Sequence, residues 1–272
     1  MSKLRLMTVL AHPDDESLGM GGTLAKYSRE GVDTYLITAT RGERGRYGDL
    51  QEFPGLEAVG QIREKELRMA AKRLGITEVH FLDYIDGDLD KAEPLEAIAK
   101  ITYYIRKYRP QVVVTFGPEG GYGHPDHIAI CQYTTAATIC AADPDFNGNG
   151  YLAMPSQHHA ISKLYYMAWT QPKWDAYQAA FRKLVTVVDG VERQVTPAPD
   201  WGITSRIDTS SVWEIVWEAV SCHKTQLAIY GKLKELSAEH HMALWGTQEF
   251  YRAFSRVNGK RALEQDLFEG LR

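Results

Sequence analysis

The chemistry of this chain is concentrated in two short phrases. His12-Pro13-Asp14-Asp15-Glu16 follows the apolar run Leu6–Leu10. His124-Pro125-Asp126-His127 follows the run Val112–Phe116 and a glycine-rich link, Gly117 to Gly123. Imidazole and carboxylate groups are the ligands that zinc takes at catalytic sites, where three protein ligands leave a position for water. Two histidines and one carboxylate meet that requirement. The two phrases offer more candidates than three, so the roles must divide. If Asp14 and Asp15 both bound a metal, no carboxylate would remain to move a proton. One is expected as a ligand and its neighbour as a general base, and spacing does not say which. The same donor set also describes the facial triad of non-haem Fe(II) proteins, so Fe2+ at the same ligands is a further expectation.

Something must bring the phrases together. Apolar runs at Leu4–Leu10, Thr34–Ala39, Val79–Leu82 and Val112–Phe116 read as strands. Segments of helical period at Ser17–Glu30, Leu56–Leu74 and Pro94–Tyr108 lie between them, and a further helix starts at Pro125. This alternation predicts an α/β, Rossmann-like three-layer sandwich with a mostly parallel sheet. Right-handed crossovers in the common doubly wound order place the strands 3-2-1-4. The first and fourth are then neighbours at the switch point where such sheets bind ligands. Each phrase follows one of those two strands. Proline after His12 and His124 favours extended backbone at the histidine and suits a first helical turn.

After about Asp143 the composition changes, and no linker or repeat marks a boundary. The chain is expected to be one domain over 1–272, with a Rossmann-like core at 1–142. Residues 143–272 are expected to complete the sheet and roof the crevice. Strands are expected at Lys163–Trp169, Leu184–Val188 and Ile203–Ile207, and helices at Trp174–Lys183 and from Ser210 to Tyr230. The tract Arg41–Pro54, with Gly42, Gly45 and Gly48, reads as a mobile lid over the same edge. The run Gly19-Met20-Gly21-Gly22 lies within a helix, not at the strand–helix turn that a dinucleotide fingerprint occupies. It is read as close helix–sheet packing, which argues against a nucleotide-dependent oxidoreductase.

Bulk properties narrow the class. With 272 residues, 44% of them hydrophobic, the chain can bury a large core, and its net charge of −4 carries no nucleic-acid footprint. No stretch approaches a bilayer span. Cys131, Cys140 and Cys222 form no disulfide framework and suit a reducing, cytoplasmic setting. His158-His159 and His240-His241 are expected at the surface. Tyr103, Tyr104 and Tyr108 are expected against the sheet or at a homo-oligomer contact. Trp213 and Trp217 are expected in the core or at a subunit contact, and His223 and Gln226 in a structural or substrate-facing role.

Ala11-His12-Pro13-Asp14-Asp15-Glu16, followed by His124-Pro125-Asp126-His127, resembles the LmbE/PIG-L family of zinc-dependent N-deacetylases. Supporting stretches are Thr40–Gly45, Ile62–Leu67, Gly120–Gly123, Ser162–Tyr166 and His223–Gln226. The resemblance is strongest to the branch containing the mycothiol-precursor deacetylase and the mycothiol conjugate amidase. Gly120–His127 is more like the deacetylase; Ser162–Tyr166 and the Asp266–Leu271 ending are more like the amidase. The resemblance implies a Rossmann-like hydrolase acting on amides of small glucosamine-type sugars. It implies metal ligation by His12, Asp15 and His127, with Asp14 as general base and Asp126 orienting a histidine. His124, as imidazolium, and Tyr122 would stabilise the oxyanion. Arg63 and Asp86 would contact the sugar, and Arg41 and Glu43, on the lid, are read as further substrate contacts. Either Asp14 or His124 would protonate the leaving amine. The alternative from another class is a sugar- or metabolite-binding protein without catalysis.

Overall fold

The computed structural model describes residues 3–47, 53–181, 186–188, 190–193, 197–227, 231–257 and 262–272. The sheet strands are β1 (Arg5–Leu10), β2 (Asp33–Thr40), β3 (Glu78–Tyr84), β4 (Val112–Thr115), β5 (Lys163–Ala168), β8 (Ser205–Asp208) and β9 (Thr247–Ser255). Their order is β3-β2-β1-β4-β5-β9-β8. The 3-2-1-4 order expected from sequence is present. The first five strands pair in parallel, so the carboxyl ends of β1, β4 and β5 open on one edge. Leu6, Met7, Val9, Leu10 and Val112–Val114 are wholly buried, as strands covered on both faces require.

The helices are α1 (Asp15–Arg29), α2 (Leu56–Leu74), α3 (Pro94–Tyr108), the single turn α4 (Gly120–Gly123), α5 (Pro125–Ala142), α6 (Gln171–Phe181), α7 (Trp213–Val220) and α8 (Ala238–Trp245). Among the described residues no helix is long and apolar enough to cross a membrane. The α1 glycines are explained by close approach, though only partly to the sheet. A Cβ at Gly19 would lie 3.0 Å from Met167 of β5. One at Gly21 would lie 3.0 Å from Val216 of α7, and one at Gly22 would lie 2.7 Å from Thr209. Tyr108 stacks on Tyr35 of β2 at 4.2 Å, so it packs against the sheet.

The later half departs most from expectation. The expected strand Leu184–Val188 is described only at Thr186–Val188 (β6). It pairs with β7 (Val191–Arg193) in a separate ribbon, outside the main sheet. Leu184, Val185 and the expected end of the preceding helix at Lys183 lie outside the described residues. The long helix expected from Ser210 to Tyr230 is a 3-10 turn, the short α7 and a second 3-10 turn at Lys224–Gln226, and Tyr230 is outside the described residues. Buried carboxylates account for the break. Glu66 accepts both the N–H and the hydroxyl of Thr225, at 2.9 and 2.7 Å, and Glu16 takes His223 at 2.8 Å. Buried charges without such partners are costly, so the chain leaves helical geometry to supply them.

Strand β9 was not expected from the sequence. Gln248 and Glu249 interrupt its apolar pattern, yet both are buried. Gln248 spans the α1 backbone, accepting from the Thr23 N–H at 2.7 Å and donating to the Gly19 carbonyl at 2.9 Å. His241 also departs from expectation. It is buried, 2.6 Å from the Leu233 carbonyl and stacked on Trp217, whereas His240 is exposed and His159 half-buried. All three cysteines are free, and Cys131 is buried.

Candidate metal centre and active site

Both phrases reach the β1/β4 edge. His12 follows β1 at a bend, α1 starts at Asp15, and Asp14 stands between them at φ 109°, ψ −26°. The Asp14 side chain does not cap the helix that it precedes. Across the switch point, α4 is a turn that glycine alone allows, with φ of 68°, 69° and 84° at Gly120, Gly121 and Gly123. It presents Tyr122 with its ring centroid 5.2 Å from that of His127.

His12 Nδ1 lies 3.2 Å from His127 Nε2, and the Asp15 carboxylate is 3.7 Å from the first and 3.5 Å from the second. Three ligands about 2.0–2.1 Å from a tetrahedral ion would be separated by about 3.3 Å. The two histidine nitrogens stand at that separation, while Asp15 approaches them with different oxygens, Oδ2 toward His12 and Oδ1 toward His127. The outer hydrogen bonds fix which nitrogen faces inward. His12 Nε2 lies 3.0 Å from Asp126 and 3.1 Å from Asp86, so its proton belongs there and Nδ1 keeps its lone pair. His127 Nδ1 faces the Gly120 carbonyl at 3.2 Å, which can only accept, leaving Nε2 free to ligate. This is the outer support that metal-binding histidines commonly have. Asp126 is fully buried and also accepts from the N–H groups of Gly87 at 2.7 Å and Leu89 at 3.2 Å.

His124 is close enough to join a three-histidine cluster with His12 and His127. Its hydrogen bonding points elsewhere. His124 Nδ1 accepts the Asp126 N–H at 3.2 Å as the N-cap of α5, so the neutral ring carries its proton on Nε2 as a donor. Burial first, then positive charge on His12, brings its pKa down to about 4. The imidazolium expected from sequence is thus replaced by a neutral donor. Burial, reinforced by Asp15 and Asp14, pushes the Tyr122 hydroxyl well above its ordinary range, and it stays protonated.

Protons and metal compete for the same atoms. Burial raises the Asp15 pKa. Burial would lower that of His12, but the hydrogen bonds to Asp126 and Asp86 outweigh it and hold it well above the usual value. Metal binding must displace these protons, so affinity should rise with pH by roughly tenfold per unit for each proton released. Chelator competition at pH 6 and pH 8 measures this, and a flat affinity would contradict the ligand assignment.

The remaining expected site residues are closely tied. Arg63 is 3% exposed; its Nη2 donates to the Pro13 carbonyl at 2.5 Å and to Asp14 at 3.1 Å, and its Nη1 to the Gly42 carbonyl at 2.8 Å. A Cβ at Gly42 or Gly45 would lie 2.1 Å from that guanidinium, so these two glycines form its cradle and are not explained as lid hinges. Gly48 lies outside the described residues. Glu43 is buried and accepts the Asp86 N–H at 3.1 Å. Arg41 pairs with Glu64 and Asp83, each at 2.6 Å. Sequence reasoning assigned no role to Glu16. It is wholly buried, accepting from the Asp14 N–H at 2.9 Å and the Ser17 hydroxyl at 2.5 Å, beside His223 Nε2 at 2.8 Å. His223 is wholly buried too, and Gln226 donates to the Arg46 carbonyl at 2.6 Å, so both act within the protein.

Fold and cluster together define a class: a doubly wound α/β protein with a candidate divalent-metal centre at its switch point. Residues 7–138 match the family described as PIG-L: GlcNAc-PI de-N-acetylase. Among curated relatives, the 1D-myo-inositol 2-acetamido-2-deoxy-alpha-D-glucopyranoside deacetylase of Streptomyces griseus subsp. griseus is 34% identical, over 98% of this chain and 89% of its own length. The mycothiol S-conjugate amidase of Streptomyces coelicolor is 31% identical, over 99% and 98%. This chain belongs to the PIG-L family. Two solved structures share its fold. The N,N'-diacetylchitobiose deacetylase of Pyrococcus horikoshii has a TM-score of 0.68 at 21% identity, over 91% of this chain and 83% of that one. The 4-carboxy-2-hydroxymuconate hydratase GalB of Pseudomonas putida has a TM-score of 0.67 at 18% identity, over 94% and 99%. A deacetylase and a hydratase on one fold leave the reaction to be argued from the site.

Proposed function

We propose that this chain is a zinc-dependent hydrolase that removes an N-acyl group, acetyl in the simplest case, from a small molecule containing N-acetylglucosamine. One observation carries the reading. His12 Nδ1 faces His127 Nε2 at 3.2 Å with Asp15 carboxylate oxygens 3.7 and 3.5 Å from them, while the adjacent Asp14 pairs with Arg63 at 3.1 Å, which supports His12, Asp15 and His127 as the ligands. A divalent ion there would lower the pKa of a water and polarise the amide carbonyl.

The chain's own groups would do the rest. Asp14 takes the proton of the attacking water. Tyr122 and the Nε2–H of His124 donate to the oxyanion as the carbonyl carbon becomes tetrahedral. Asp14, now protonated, returns the proton to the leaving amine. Neutral His124 is a weaker acid for that step, because its second proton is lost at about pH 4. Asp126 and Asp86 hold His12 in the ligating tautomer. Arg41, Glu43 and the outer side of Asp86 remain the proposed sugar-facing region.

A second reading, hydrolysis of a thiol-conjugate amide, draws on a different observation. A cavity of about 450 Å³ is bordered by Gly121 of the α4 turn and by Tyr166, Trp169, Trp174, Trp201 and Tyr251. Trp201 is 89% exposed. An apolar group on the substrate, as an S-linked substituent provides, suits such walls.

Amine release and metal content measured on one preparation test both readings. The panel comprises N-acetylglucosamine, its inositol and malate glycosides, N,N'-diacetylchitobiose and a mycothiol conjugate. Metal-dependent release from a glucosaminide is expected. No release from any member despite bound metal would favour the non-catalytic sugar-binding protein.

A further inference from the structure

Asp14 and Asp15 are identical side chains at adjacent positions, and local sequence offers no reason for them to do different work. The peptide group joining Pro13 to Asp14 supplies one. Its carbonyl oxygen accepts Arg63 Nη2 at 2.5 Å, and its N–H donates to Glu16 Oε2 at 2.9 Å. A cation therefore sits at the negative end of this peptide dipole and a carboxylate at the positive end. Turning the peptide over would set its carbonyl against Glu16 and its N–H against the guanidinium, both repulsive.

The backbone records the effect. Asp83, Arg109 and Asn149 have φ of 62°, 52° and 53°, near the ordinary left-handed well, whereas Asp14 has φ 109°. A non-glycine residue so far outside that well must be held there by its surroundings. Glu16 is itself held by the Ser17 hydroxyl at 2.5 Å and by His223 Nε2 at 2.8 Å, with Glu16, Ser17 and His223 wholly buried. Arg63 is held by the Gly42 carbonyl and cradled by Gly42 and Gly45.

We propose that Arg63 and Glu16 are positioning residues that clamp the Pro13–Asp14 peptide, so that Asp14 is aimed as the base while Asp15 turns to the metal position. His223 serves as the anchor of Glu16, 207 residues away in sequence. The proposal rests on the reading of Asp14 as general base. It assigns these residues a geometric task with no part in the proton transfers.

The test is Glu16→Ala in the metal-loaded enzyme. Metal stoichiometry and KM should hold while kcat falls on the order of 10²-fold, the scale of a small misplacement of a reacting group. A crystal structure of the variant should show Asp14 at negative φ with the Pro13 carbonyl redirected. Glu16→Gln should recover most of kcat, because the amide oxygen can accept the same N–H. Should Glu16→Ala not fold, Arg63→Lys serves instead: one ammonium cannot serve the Pro13 carbonyl, Asp14 and the Gly42 carbonyl together, so kcat should again fall with metal retained. Unchanged kcat in either variant overturns the clamp. So does lost kcat with an unmoved Asp14 backbone, or Glu16→Gln as impaired as Glu16→Ala. An active Asp14→Ala enzyme would instead remove the reading of Asp14 as base, while the Glu16→Ala structure would still report whether the clamp sets the backbone.

Discussion

Asp14→Ala should lower kcat by about 10²–10⁴-fold, the usual contribution of a positioned general base, and leave metal content unchanged. The reason is geometric. Asp14 pairs with Arg63 at 3.1 Å, whereas the neighbouring Asp15 is 3.5 Å from His127 Nε2 and accepts the His12 N–H at 2.8 Å. Asp15→Ala and His12→Ala should therefore lose the metal itself, and activity with it. Metal analysis and kcat on the three variants form one experiment. Metal lost from Asp14→Ala but kept by Asp15→Ala would reverse the assignment.

Tyr122→Phe should cost about 10²–10³ in kcat, or ~2.7–4 kcal/mol of transition-state stabilisation, with little change in KM. The phenol is held by a turn of three positive-φ glycines, beside His124 and His127, and burial keeps it protonated. A donor fixed in advance at a desolvated site acts mainly when charge develops on the carbonyl oxygen. Because its pKa is raised, no alkaline loss of kcat should come from Tyr122. A Phe variant that raises KM and leaves kcat intact would make Tyr122 a ground-state contact.

Much of the site was legible because its signals are local. A strand followed by His-Pro-Asp is read within a dozen residues, and the 3-2-1-4 order follows from regular alternation. Other features depended on partners far away in the chain. Gln248 and Glu249 look wrong for a strand until Gln248 is seen bonded to α1 and Glu249 to the Thr170 hydroxyl, at 2.5 Å. The expected helix from Ser210 ends early because Glu16 and Glu66, on α1 and α2, draw off His223 and Thr225. Gly42 and Gly45 suggest a hinge until the Arg63 guanidinium is found against them.

By itself, the sequence determined that histidines and carboxylates would gather at the carboxyl ends of two adjacent parallel strands. Periodicity and turn chemistry act over a few residues and suffice for that. Only the tertiary structure shows how the gathered groups are arranged: Nδ1 of His12 facing Nε2 of His127, the Asp15 carboxylate beside both, His124 accepting the Asp126 N–H, and Asp14 paired with Arg63. Local partners set part of it, Gly120 for His127 and the Asp126 N–H for His124, but His12 and Asp14 depend on hydrogen bonds to residues far away in the chain, Asp126 to His12 and Arg63 to Asp14. A tautomer or a peptide orientation follows whichever partner lies opposite, and the fold alone supplies that partner.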